Sequence, residues 1–189
     1  MKKFSFKGIK FFSGNYHEIK KEFDKGGVLV APAASALANI DNDKKYYSAL
    51  KQSNVAILDS GFFCILVRIF KFKKVKKLSG YLFLRTFLEN FKNDNKIFFI
   101  DPSRKSSFKN CNFLKSNKIF NFKSYIAPNY NRHYVDLKLV KIIREYKPRY
   151  IVINLGGGTQ EPIAIYIYKK INFKTSIMCT GAAIAFMTG

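Results

Sequence analysis

Three of the twelve carboxylates in this chain stand just after short apolar runs. Asp59 follows Val55-Ala-Ile-Leu58 and precedes Ser60-Gly61, Asp101 follows Ile97-Phe-Phe-Ile100, and Glu161 ends the stretch Tyr150-Ile-Val-Ile-Asn-Leu-Gly-Gly-Gly-Thr-Gln-Glu161. A carboxylate at the end of a buried strand is partly desolvated, which raises its basicity toward what is needed to take a proton from a hydroxyl nucleophile. The same placement suits an Asp that caps the next helix or closes an Asx turn. Asp59 is open to both roles, whereas Asp101, followed by Pro102-Ser103, reads as a turn residue.

The three glycines Gly156, Gly157 and Gly158 let backbone amides come close to a ligand, and Gln160 and Glu161 follow at a strand-to-helix switch, with Pro162 in the first turn of the helix. Open α/β sheets bind ligands at such switches. The loop is neither a P-loop, since it lacks the Lys-Ser/Thr ending, nor a dinucleotide fingerprint, since Glu161 occupies the place of the third small residue. A second feature is basic: Arg68, Lys71, Lys73, Lys74, Lys76 and Lys77 place six cations in ten residues. Such a run suits a diphosphate or an anionic lipid headgroup, and equally a solvated loop. Cys64, Cys111 and Cys179 are far apart and accompany only His17 and His133, so the sequence gives no metal-ligand set and points to reduced, cytoplasmic thiols.

These residues need a scaffold that gathers strand ends. Apolar segments at Val28–Ala31, Val55–Leu58, Ile97–Ile100, about Ile119–Ile126, Tyr150–Asn154 and Ser176–Cys179 read as strands. Helical patterns cover Lys44–Gln52, Phe62–Phe70, Tyr81–Phe91, Val135–Tyr146 and Pro162–Ile171. The alternation predicts an α/β fold: one domain with a mostly parallel, Rossmann-like sheet and helices on both faces. Residues 1–25 are expected to pack as an N-terminal segment on a core of residues 26–189. The stretch Asn90–Asn121, rich in Lys, Asn and Ser, gives the weakest pattern.

Composition narrows the partners. Lys and Arg total 34 against 12 Asp and Glu, a net charge of +22, which favours a polyanion: nucleic acid, an anionic membrane surface or a phosphorylated substrate. Lys, Asn, Ile and Phe abound throughout, as AT-rich coding produces, so much of the charge fits ordinary solvated surface equally well. The interleaved aromatics carry no RNP-like or helix-turn-helix signature, which speaks against a nucleic-acid domain. Lys7 and Lys10 interrupt the apolar start and no small-residue cleavage site follows, so no export signal is read. The strongly apolar stretch Gly61–Phe70 is ten residues long. It falls well short of the roughly 20 that span a bilayer, so membrane contact is expected to be peripheral.

The succession Val28-Leu-Val-Ala-Pro-Ala33, Ala56-Ile-Leu-Asp-Ser-Gly61, Lys77-Leu-Ser-Gly80, Lys147-Pro148, Leu155-Gly-Gly-Gly-Thr-Gln-Glu161 and Cys179-Thr-Gly-Ala-Ala-Ile-Ala-Phe-Met-Thr-Gly189 resembles the WecB/TagA/CpsF glycosyltransferase family in order and spacing from about Gly26 onward. The resemblance implies an inverting hexosyltransferase without cofactor or metal. It would move an N-acetylmannosamine-type sugar from a UDP-sugar to a polyprenyl-diphosphate-linked acceptor at the inner face of the cell membrane, for cell-surface polysaccharide. It further implies that Asp59 is the catalytic base, that Gln160 and Glu161 belong to the donor pocket with the loop of Gly156, Gly157 and Gly158, and that Lys77 stands where the family usually has Arg. A Lys keeps the charge for a diphosphate but loses the bidentate fork. Ala31-Pro32-Ala33 replaces the family's Thr-x-Asn, and Ala185 replaces its Asp. Members usually continue past the motif ending at Gly189 into a basic appendage, whose contacts a homo-oligomer would then have to supply. A truncated or non-catalytic binder of nucleotide sugar or lipid diphosphate is the competing expectation.

Overall fold

Alternate residues of a strand face opposite ways, so each apolar run here can feed two cores at once. In the computed structural model, which describes all residues except 72–74 and 132 and omits the side chains of Phe62, Leu66, Phe70 and Lys71, this produces one sheet with a core on each face. Its strands are β1 (Lys2–Phe6), β2 (Ile9–Ser13), β3 (Gly27–Val30), β4 (Val55–Ile57), β5 (Ile97–Asp101), β6 (Phe122–Ile126), β7 (Tyr150–Ile153) and β8 (Ser176–Cys179). They lie in the order β1-β2-β4-β3-β8-β7-β5-β6, and every neighbouring pair is parallel except β1 with β2. The expected Rossmann-like α/β architecture is therefore the one observed.

The helices described are α1 (Tyr16–Phe23), α2 (Ala34–Ala38), α3 (Lys44–Gln52), α4 (Gly61–Lys71), α5 (Gly80–Glu89), α6 (Arg104–Ser116), α7 (Leu137–Tyr146), α8 (Gln160–Lys170) and α9 (Ala185–Thr188). On one face Val28, Val30, Ile151 and Ile153 meet residues of α2, α3, α4, α7 and α8. On the other, Leu29, Tyr150, Val152 and Met178 meet α1, α5 and α6. Polar caps start several helices: Asn15 forms a capping box with Glu18, while Asp43, Ser79, Ser103 and Asp136 each accept a backbone N–H in the first turn.

Six of the strands match the expected segments to within a few residues, and the five expected helices appear at the expected places. Residues 2–23 hold two strands and a helix that were not assigned from sequence. Phe4 and Phe6 alternate along β1, Ile9 and Phe11 along β2, and Lys7-Gly8, both at positive φ (47° and 73°), makes the two-residue turn that joins them. This hairpin extends the sheet through parallel pairing of β2 with β4, and its outer strand carries exposed Lys2 and Lys3, charges that discourage further strand addition. The Lys- and Asn-rich stretch near residue 100 holds β5 and the 13-residue helix α6, whose weak amphipathicity hid it. Among the described residues, no helix is long and apolar enough to cross a membrane.

Phe11 is fully buried, with its ring 5.5 Å from that of Phe4 and 5.2 Å from that of Phe63. If the hairpin is part of the core, Phe11→Ala should lower stability by about 3–5 kcal/mol. Urea unfolding followed by circular dichroism checks this, and a change below about 1 kcal/mol would mean that the hairpin is a loosely held appendage.

Candidate active site

Five adjacent strands, in the order β4, β3, β8, β7, β5, end at one rim of the sheet, and the residues that follow them form the site. Asp59 lies just past β4. Its Oδ1 accepts a hydrogen bond of 2.7 Å from the N–H of Gly80, the first residue of α5. The side chain is only partly buried, so the carboxylate is held on one side and reachable on another. Gly80 sits in a tight place: a Cβ there would stand 3.0 Å from the Cβ of Ala31, just past β3, and 3.4 Å from that of Thr180, just past β8. The segment leading to Gly80 is tied to the same rim by Leu78 N–H, which donates to the carbonyl of Leu58 at 3.2 Å, and the residue before Leu78 is the exposed Lys77.

The glycine loop leaves β7 as expected and enters α8. Gly158, at φ +84°, takes the left-handed turn; Gly156 and Gly157 face open space, where even an added Cβ would touch nothing within 4 Å. The outer side of the loop is thus free for close approach by a ligand. Beside it lies a cavity of about 280 Å³ lined by Gly156, Thr159, Tyr130, Asn131 and Pro102. A second cavity, of about 220 Å³, shares Pro102 and extends past Lys105, Lys109, Asn154 and Ala185.

Gln160 and Glu161 stand at the switch from strand to helix, but their side chains turn inward; they are 3% and 1% exposed. Gln160 Oε1 accepts from Gly181 N–H at 3.0 Å, and its Nε2 donates to Glu161 Oε1 at 3.0 Å. Glu161 Oε2 accepts from Gly158 N–H at 2.8 Å. The pair therefore shapes the loop and fastens it to the segment after β8. Burial pushes the Glu161 carboxyl up to about 7 despite these hydrogen bonds, and nearby Asp43 adds to the rise.

Asp101 is fully buried and works as an internal anchor: its Oδ1 accepts from Asn110 at 2.8 Å and from Asn154 at 2.7 Å, and burial raises its pKa. Ser103, two residues on, caps α6. Asn154 and Thr180 were not singled out from sequence, although each follows an apolar run just as Asp59 does. The same rule, applied to amides and hydroxyls as well as carboxylates, would have found them. In the basic run, Lys76 and Lys77 are exposed and Arg68 donates to the carbonyl of Val75 at 2.8 Å; Lys73, Lys74 and the Lys71 side chain lie outside the described residues.

The result is an α/β protein with two cavities and an open glycine loop at the carboxyl rim of a parallel sheet, and with the Asp59 carboxylate farther along the same rim. Its sequence matches the model of the glycosyl transferase WecG/TagA/CpsF family over residues 7–189, and the chain belongs to that family. Among curated proteins no relative matches it. Membership points in general terms to a glycosyltransferase of polysaccharide synthesis.

A raised carboxyl pKa has a definite sign in stability. With Glu161 at about 7 in the folded protein and near 4.3 when unfolded, the native state holds the extra proton between those values, so stability falls as pH rises through that window and levels off above it. Glu161→Gln should flatten this slope, removing on the order of 3 kcal/mol of pH-dependent loss, as read from urea midpoints at pH 4.5 and 8. Parallel pH profiles for the two proteins would contradict the burial of this acid.

Proposed function

We propose that the protein is an inverting, metal-independent hexosyltransferase that moves an N-acetylmannosamine-type sugar from a UDP-sugar to a polyprenyl-diphosphate-linked acceptor. It would act at the inner face of the cell membrane, in the synthesis of cell-surface polysaccharide. The observation that carries this is Asp59, held through Gly80 N–H at the same rim as the open face of the glycine loop.

In this mechanism the donor diphosphate lies over Gly156 and Gly157, whose bare backbone lets the phosphate oxygens come close. Asp59 takes the proton from the acceptor hydroxyl as that oxygen attacks the anomeric carbon from the face opposite the nucleotide. The bond from that carbon to the diphosphate oxygen breaks, and UDP leaves with the electron pair. Lys77 and backbone amides stabilise the charge that gathers on the leaving group, though a Lys does so as a point charge, without a guanidinium's fork. Gln160 and Glu161 serve by holding the loop in shape.

Ala31 beside Gly80 and Ala185 on the wall of the second cavity offer no polar side chain to a sugar or phosphate, and this favours one competing function: a non-catalytic binder of nucleotide sugar or lipid diphosphate. The two separate by experiment. The purified chain, incubated with UDP-sugars and a short-chain lipid diphosphate acceptor, should release UDP, and Asp59→Asn should cut kcat by about 100-fold or more. Calorimetric binding of UDP with no turnover would favour the binder, and undiminished turnover by Asp59→Asn would remove Asp59 as the base.

A further inference from the structure

Helix α4 begins two residues after Asp59, and it faces two ways. Its inner side, Phe63, Cys64 and Val67, is buried, with the Phe63 ring 5.2 Å from those of both Phe6 and Phe11. Its outer side carries Ile65 and Ile69, one helical turn apart and 51% and 58% exposed, with exposed Arg68 between them in sequence. The helix keeps contact with the carboxyl rim through its start and through Arg68. It starts where β4 ends, and Arg68 near its far end bonds the carbonyl of Val75, beside Lys76, whose N–H donates to Ser13 Oγ at the end of β2 at 2.7 Å. Exposed Lys76 and Lys77 border the same edge, and Lys2, Arg68 and Lys76 line a cavity of about 590 Å³ there, with Glu18 as the acid on its wall.

We propose that this outer face of α4 is a docking surface for an anionic lipid bilayer, with Ile65 and Ile69 entering the interface and the flanking cations meeting headgroup phosphates. Two exposed isoleucines on one face, bordered by positive charge, match the apolar and electrostatic parts of interfacial binding. Attachment through this helix sets the rim bearing Asp59 against the membrane, where a lipid-linked acceptor would present its sugar. That last point rests on the proposed function; the docking surface itself does not.

The test is co-sedimentation of the full chain with vesicles of phosphatidylglycerol and phosphatidylcholine, beside vesicles of phosphatidylcholine alone. The chain should bind the anionic vesicles more strongly, and less so as salt is raised. Ile65→Asp with Ile69→Asp should weaken that binding by about tenfold or more, because two apolar side chains no longer enter the interface. The melting temperature, and UDP release with a water-soluble acceptor, should stay as in the wild type. Ile65→Gln with Ile69→Gln should act in the same direction, and it decides the matter if the Asp pair fails to fold. Wild-type vesicle binding by folded variants would overturn the proposal. So would a dimer, seen by analytical ultracentrifugation and abolished by the same substitutions, in a chain that ignores vesicles. Vesicle binding through α4 without any UDP release would uphold the surface and sink the glycosyltransferase mechanism.

Discussion

Two buried polar side chains at the start of α8 impose the conditions that the rest of the site obeys. Gln160 and Glu161 have left water almost completely, so their oxygens must find donors inside the protein, and a buried group left unpaired costs about 1–3 kcal/mol. The donors they find are the backbone N–H groups of Gly158 and Gly181. Both residues sit at positive φ, +84° and +62°, which explains why they are glycines. The first contact folds the loop back on itself; the second clamps it to the segment after β8. That segment includes Thr180, which packs against Gly80, and Gly80 in turn holds Asp59. A continuous set of contacts thus runs from the loop to the carboxylate across three strand ends.

The sheet makes this chain of contacts rigid. Central strands β3, β7 and β8 are buried along their whole length, with one set of side chains in each core, so their ends can shift little relative to one another. Phe23, Phe87 and Tyr150 fix the far side: Tyr150 rings lie 5.9 and 4.8 Å from Phe23 and Phe87, and the Tyr150 hydroxyl donates to Asp24 at 3.0 Å. Function is thereby left to loops at one rim, the arrangement on which open parallel sheets depend.

Much of this was legible in the sequence because the fold rests on buried parallel strands, and these leave apolar runs that no other element easily mimics. Asp59 and the glycine loop were legible for the same reason, as polar breaks directly after such runs. The N-terminal hairpin was not, since its lysines interrupt the apolar pattern on the exposed side and only the alternation of Phe4, Phe6, Ile9 and Phe11 marks it. Helix α6 was hidden because its buried face joins Leu114 to two polar residues, Ser107 and Asn110, whose side chains are hydrogen-bonded inside the protein. The orientation of Gln160 and Glu161 was beyond reach too. Two polar residues after a glycine turn give no sign of whether they face a ligand or the interior, and the answer depends on Gly181, twenty-one residues away.

The carboxylate and the glycine loop are proposed to border one nucleotide-sugar site. The most direct test is a crystal structure of the chain soaked with UDP. The diphosphate is expected over Gly156 and Gly157, on the open side of the loop, with its terminal phosphate toward Asp59 and Lys77. UDP bound away from this rim, or a loop refolded so that Gln160 no longer holds Gly181, would contradict it.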